Sequence, residues 1–153
     1  MKTLILSMIN GLFAAKEKSL KRSDKIFLTS SDAISGRTLM IEEDAFNVWV
    51  YMLRLDKKGI DFNGFLCTVI NPKLSTIKVN ENTNKDKALP KKYINSCGYI
   101  KNLKKKDISI HWHKDYASIL IKNKVYLVMD ITSRMGYSRG LSGSCEYGKP
   151  LED

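Results

Sequence analysis

The sequence predicts an α+β domain: a mainly antiparallel sheet of about six strands, with an N-terminal helix and a second, basic helix packed on it. Three observations lead there. Apolar residues recur at helical spacing at the N-terminus and again over Leu89–Leu103. Between and after these stretches lie short runs rich in β-branched and aromatic residues, separated by Gly, Asn, Asp and Ser. Helices segregated from a run of strands are the signature of that class. At 153 residues with 43% apolar content, the chain reads as one domain, 1–153, with enough apolar surface for a core of its own.

In the first element, Leu4, Ile5, Met8, Ile9, Leu12 and Phe13 form the stripe of an amphipathic helix. Ser7, Asn10 and Gly11 interrupt the apolar run, and Phe13-Ala14-Ala15 is a poor cleavage site. The stretch therefore reads as a retained helix and not a signal peptide. Lys16–Lys25 is a charged connector, and Lys25–Ser30 carries the apolar centre of a strand. Ser30-Ser31-Asp32 and Ser35-Gly36 are turn chemistry. Thr38–Ile41 and Phe46–Leu55 read as strands joined through Glu42-Glu43-Asp44. In the second, Val48, Val50 and Met52 alternate with Trp49, Tyr51 and Leu53, so both faces are apolar and a central strand covered on both sides is expected.

Lys57-Lys58-Gly59 turns the chain into a strand over Phe62–Ile70, which Asn71-Pro72 ends. Ser75–Val79 suits a short edge strand and Asn80–Asp86 a polar loop. Leu89–Leu103 is the second helix, starting near Pro90, with Tyr93, Ile94, Cys97, Ile100 and Leu103 as its apolar stripe. Gly98 costs that helix about 1 kcal/mol relative to Ala. Ile108–Asp115, Tyr116–Ile121 and Lys124–Ile131 are strand-like, with Lys122-Asn123 turning between the last two. From Ser133 onward Gly and Ser dominate. Residues 133–153 therefore read as an irregular tail pinned by Leu141, Tyr147 and Leu151.

Charge is distributed unevenly. Lys85–Lys106 holds eight lysines and one acid, Asp86, in 22 residues, which is +7 of the chain's formal +10. All eight cations are Lys, a flexible point charge without the bidentate fork of Arg. Such an excess fits a polyanion, an acidic protein surface or a solvated face. With lysines outside and apolar residues underneath, Lys91, Lys92, Lys101, Lys104 and Lys105 are the expected partner-binding residues. The acidic protein surface is the favoured partner, RNA the alternative, since Tyr93 and Tyr99 fit the apolar side of the helix at least as well as they fit base stacking.

His111-Trp112-His113 contains both histidines. On a strand the two imidazoles share a face about 7 Å apart. They form an acid/base pair for RNA cleavage in one reading, a partial metal site with Asp115 in another, and a solvated strand face in the plainest. H-x-H alone is weak evidence, so no metal and no catalytic residue is assigned and the chain reads more as a binder than an enzyme. Gly140–Cys145 matches neither G-x-G-x-x-G nor a P-loop, and no cofactor is expected. Cys67, Cys97 and Cys145 lack C-x-x-C spacing. An odd number of thiols in a chain with an adequate core suits the reducing cytoplasm. No apolar run approaches the roughly 20 residues of a bilayer-spanning helix.

Two resemblances follow from these residues. His113 and Asp130, placed on neighbouring strands by a turn at Lys122-Asn123, resemble the His-then-Asp pair of papain-like and transglutaminase-like cysteine enzymes. That resemblance implies a nucleophilic Cys at a helix start, a place taken by neither Cys97, deep in its predicted helix, nor Cys67, in a strand. The basic stretch Lys85–Lys106 and the incomplete site at His111-Trp112-His113, in a small Lys/Asn/Ile-rich domain, are similar to bacterial immunity proteins of toxin–immunity pairs, including those of contact-dependent growth inhibition. The resemblance implies a cytoplasmic, non-catalytic antitoxin that covers a cognate toxin domain by opposite charge.

Overall fold

The computed structural model describes residues 25–71 and 89–152. Nine strands account for nearly all of its regular structure: β1 (Phe27–Ser31), β2 (Thr38–Glu43), β3 (Asn47–Leu53), β4 (Ile60–Thr68), β5 (Ile108–Trp112), β6 (Tyr116–Ile121), β7 (Lys124–Asp130), β8 (Met135–Ser138) and β9 (Lys149–Pro150). The α+β class is thereby corrected. Strand makes up 50% and helical turns 5%, and no helix of seven or more residues occurs among the described residues. The expected N-terminal helix and the edge strand over 75–79 lie outside the described residues.

The strands form two sheets in sequence order, β1-β2-β3-β4 and β5-β6-β7-β8-β9. All pairings are antiparallel except β8 with β9. Consecutive antiparallel strands need only tight turns, and the sequence supplies them. Gly36 takes φ 75 in the β1–β2 turn, and Lys57 takes φ 60 between β3 and β4. Lys122 and Asn123, at φ 49 and 69, join β6 to β7. Two successive positive φ values are the primed turn whose twist matches flanking strands. Glu42 and Glu43, expected in a turn, instead extend β2, and Asp44 takes the turn. The Asp44 carboxylate accepts the Phe46 and Asn47 N–H groups.

The sheets pack on each other around one core. Leu39, Ile41, Val48, Val50, Met52, Leu66 and Cys67 from the first sheet meet Ala117, Ile119, Ile121, Leu127 and Met129 from the second. β4 and β8 approach most closely at Gly64 and Gly136, where a Cβ on Gly136 would lie 3.0 Å from the Gly64 Cα. The region beyond Ser133, expected to be irregular, therefore contributes β8 and β9, and its small residues are what this approach requires. At one margin Trp112 Nε1 donates to Ser30 Oγ at 2.8 Å, tying β5 to β1. Asp61 on β4 accepts from Arg37 at 3.1 Å and from Arg134 at 2.7 Å, linking the two sheets.

The first sheet is covered on its outer side as well. Trp49 and Phe65 stand opposite each other there, 5.6 Å apart edge to face. Leu89, Tyr93, Ile94, Leu141, Cys145 and Tyr147 close over them. The covered central strand expected at β3 is present, with irregular chain rather than a helix as its outer layer.

Candidate binding site

The basic helix expected over Leu89–Leu103 does not form. Pro90 adopts ψ 137, a single 3-10 turn spans Lys91–Tyr93, and Ile94 is extended at φ −104, ψ 126. Asn95 then competes with any helix. Its side chain accepts the Cys97 N–H at 2.8 Å and donates to the Arg139 carbonyl at 2.7 Å, the local side-chain bonding that makes Asn a turn former. Gly98 lies against Gly140, where a Cβ on Gly140 would meet the Gly98 Cα at 2.8 Å. Past it the chain is sewn to the end of β4, with Thr68 N–H donating to Gly98 O at 2.7 Å and Ile100 N–H to Thr68 O at 3.0 Å.

The apolar stripe read as helical is real as burial but serves two cores. Tyr93 and Ile94 pack on the Trp49–Phe65 cluster, while Ile100 and Leu103 reach the inter-sheet core. The lysines accordingly fall into two groups. Lys91 and Lys92 sit in the 3-10 turn, where the Ser142 hydroxyl donates to the Lys92 carbonyl and the Lys92 ammonium lies 5.0 Å from the Tyr93 ring centre. Lys101, Lys104, Lys105 and Lys106 are at the start of the second sheet, beside the β6–β7 turn. Contact between them is direct, since the Lys122 N–H donates to the Asp107 carbonyl at 2.8 Å. The Asp107 carboxylate accepts the Lys104 N–H at 2.9 Å.

That placement adds two residues the sequence reading left out. Lys122 and Lys124 project from the hairpin tip next to the charged segment and, with Lys101, Lys104, Lys105 and Lys106, complete a group of six exposed lysines. None is in ion-pair reach of a carboxylate among the described residues. Between the hairpin and the Tyr99–Lys101 segment lies an open groove of about 340 Å³, lined by Tyr99, Ile100, Lys101, Ile121, Lys122, Lys124 and Tyr126. Burial raises the phenol pKa of Tyr126, with the neighbouring Cys97 thiol adding to the rise. Tyr126 thus stays neutral through the physiological range and offers a ring face and a donor. The Arg139 guanidinium lies 6.0 Å from that ring and donates through Nε to Val125 O at 2.6 Å.

The histidines are elsewhere. β5 ends at Trp112, so His111 alone is on the strand, opposite Ser118, while His113 opens the turn into β6. The His113 ring stacks on Tyr116 at 4.3 Å and 16°. His113 and Asp130 are not on neighbouring strands as expected: the turn at Lys114-Asp115 inserts β6 between them. Tyr116 stands opposite Asp130, whose carboxylate accepts from Ser133 at 2.7 Å. Cys67 is buried on β4 and Cys97 follows the Asn95 turn, so neither joins that pair. Among the described residues no three of His, Cys, Asp or Glu come together as a metal site, and no helix is long and apolar enough to cross a membrane.

No family model, no curated protein and no solved structure matches this chain.

Proposed function

We propose that this is a non-catalytic immunity-type protein of the cytoplasm that neutralises a cognate toxin domain by seating an acidic surface of it on the lysine-rich end of the second sheet. One observation carries the reading. Lys101, Lys104–Lys106 and the hairpin pair Lys122/Lys124 come from separate stretches of sequence yet converge on one exposed patch, where none of them is ion-paired among the described residues. Repulsion among six cations opposes the fold, and a complementary acidic surface relieves it while steering association. The reading commits the toxin domain to an acidic contact surface, unlike a basic nuclease.

RNA binding is the second reading. Its support is the pair of tyrosines, Tyr99 and Tyr126, beside three lysines in one groove, the combination used for stacking and phosphate neutralisation. Catalysis by His111 and His113 would add that His111→Ala and His113→Ala each abolish RNA cleavage.

The deciding experiment is protection. The reading expects a larger protein with a C-terminal toxin domain to be encoded beside this chain, and cells expressing that domain are expected to survive when this chain is co-expressed. They are expected to die when it carries Lys104→Glu with Lys105→Glu. Absence of protection by the natural chain, or protection indifferent to the double reversal, overturns the reading.

A further inference from the structure

Resting on the immunity reading, we infer that the groove between Tyr99–Lys101 and the β6–β7 hairpin is the anchor pocket of the interface. It receives one aromatic or large aliphatic side chain from a carboxylate-rich segment of the partner protein.

The argument starts from the walls. Ile121, only 3% exposed, and Ile100, packed on the inter-sheet core, supply an apolar lining, and Tyr99 and Tyr126 add two rings. Both walls are held from below: Tyr99 is flanked by the hydrogen bonds of Gly98 and Ile100 to Thr68, and the hairpin by its turn and by Asp107. A groove held this way binds without first being ordered, which lowers the cost of association. Its volume, about 340 Å³, is near the lower end of ligand pockets and suits one large side chain with flanking backbone.

The rim specifies what flanks that side chain. Lys101, Lys122 and Lys124 surround the pocket, so carboxylates within a residue or two of the anchor find counter-charges. An apolar anchor ringed by polar contacts that exclude water is the arrangement that concentrates interface energy. The turn supports a demand for charge at this spot. Lys122 holds φ 49, where Asn or Gly sits at lower conformational cost, so the chain keeps a cation where turn chemistry favours another residue. The choice between protein and nucleic acid rests on the rim being lysine throughout. Among the described residues no guanidinium lines the groove, and Arg139 beside Tyr126 has its Nε committed to Val125 O.

The test uses the whole chain and a fluorescein-labelled peptide of alternating Asp and Glu with one central Phe, read by anisotropy at low salt. The Phe peptide is expected to bind at least tenfold more tightly than its Ala counterpart, a gap of about 1.4 kcal/mol. Lys124→Glu should weaken the Phe peptide at least tenfold. Lys58→Glu, an equal change in net charge on the β3–β4 turn, should leave it within about twofold, because exposed charges that distant are screened. Equal binding of Phe and Ala peptides, no binding of either, an equal effect of Lys58→Glu, or tighter binding of a ten-residue oligouridylate overturns the inference. Protection that survives Lys124→Glu but is lost with the Lys104/Lys105 reversal removes the pocket and leaves the immunity reading standing. No protection by the natural chain removes the reading itself, whatever the peptides do.

Discussion

The two sheets meet water differently. In the first, Leu39, Ile41, Val48, Val50 and Met52 are fully buried toward the core, and on the other side Phe65 is fully buried beneath the chain around Leu89 and Leu141. The second buries Ala117, Ile119, Leu127 and Met129 toward the core and also Ser118 and Leu120 of β6, but β5 has no fully buried residue, His111 is exposed and Tyr116 is 37% exposed. A sheet buried on both faces is a scaffold. A sheet with an uncovered strand and free ends has places to carry charge. The lysine group lies at the end of the second sheet, which separates the part of the molecule that supplies stability from the part that meets a partner.

The widest gap should appear when one aromatic is truncated in each sheet. Phe65→Ala removes a fully buried ring that touches Trp49 and the Gly140 region, and is expected to cost about 3–5 kcal/mol. Tyr116→Ala removes a partly exposed ring that stacks on His113 at the surface, and should cost less than about 1 kcal/mol. Urea denaturation of both variants measures the difference. Similar losses would mean that the second sheet is as much a scaffold as the first.

Next is the layer that covers the first sheet. Gly140→Ala places a methyl group against the Gly98 backbone, which cannot yield as a side chain can, and should cost roughly 1–3 kcal/mol. Because the same contact fixes the segment leading to Tyr99, hydrogen exchange should rise at the Thr68 N–H, which donates to Gly98 O, and at the Ile100 N–H, which donates to Thr68 O. Unchanged exchange there would detach the groove from the covering layer.

The reason this layer was illegible in the sequence is physical. Tyr93, Ile94, Cys97, Ile100 and Leu103 carry a helical period, and a helix facing one core satisfies it. An extended chain whose residues drop into two cores satisfies it equally, and Asn95 and Gly98 favour the latter. Strands β1 to β7 were legible because their apolar runs are short and the turns between them have turn chemistry, as at Lys57-Lys58-Gly59 and Lys122-Asn123. β8 was hidden because its Gly136 and Ser138 are small for the sake of contact with the other sheet, which in sequence looks like a loop. Four of the six lysines of the patch were visible as a charge run. Lys122 and Lys124 were not, since only the fold brings the hairpin tip to Asp107. The one local signal was a turn that uses Lys where Asn or Gly is usual.

The link between the sheets is a smaller effect. Asp61, with its side chain 13% exposed, accepts from Arg37 and Arg134 together. Asp61→Asn keeps the shape and removes the charge, and should cost about 1–2 kcal/mol, held down by the exposure of Arg134. Thermal unfolding in low and high salt checks it. A natural chain as stable in high salt as in low would show that geometry and not charge holds the two sheets there.

The smallest change has the opposite sign. Lys122→Asn replaces a long side chain at φ 49 with the residue that tolerates this conformation best, and removes one cation from a group of six. Both changes favour the folded state, so stability should rise by about 0.5–1 kcal/mol, measured as an upward shift in Tm. If the end of the second sheet is the partner-facing part, the same substitution should weaken protection against the toxin domain. Higher stability with weaker protection is what a residue kept for its charge produces. A variant that is more stable and fully protective would place Lys122 outside the interface and leave the contact to Lys101, Lys104–Lys106 and Lys124. A less stable variant would show that the Lys122 side chain packs productively against the hairpin, and the strain argument for its function would fall.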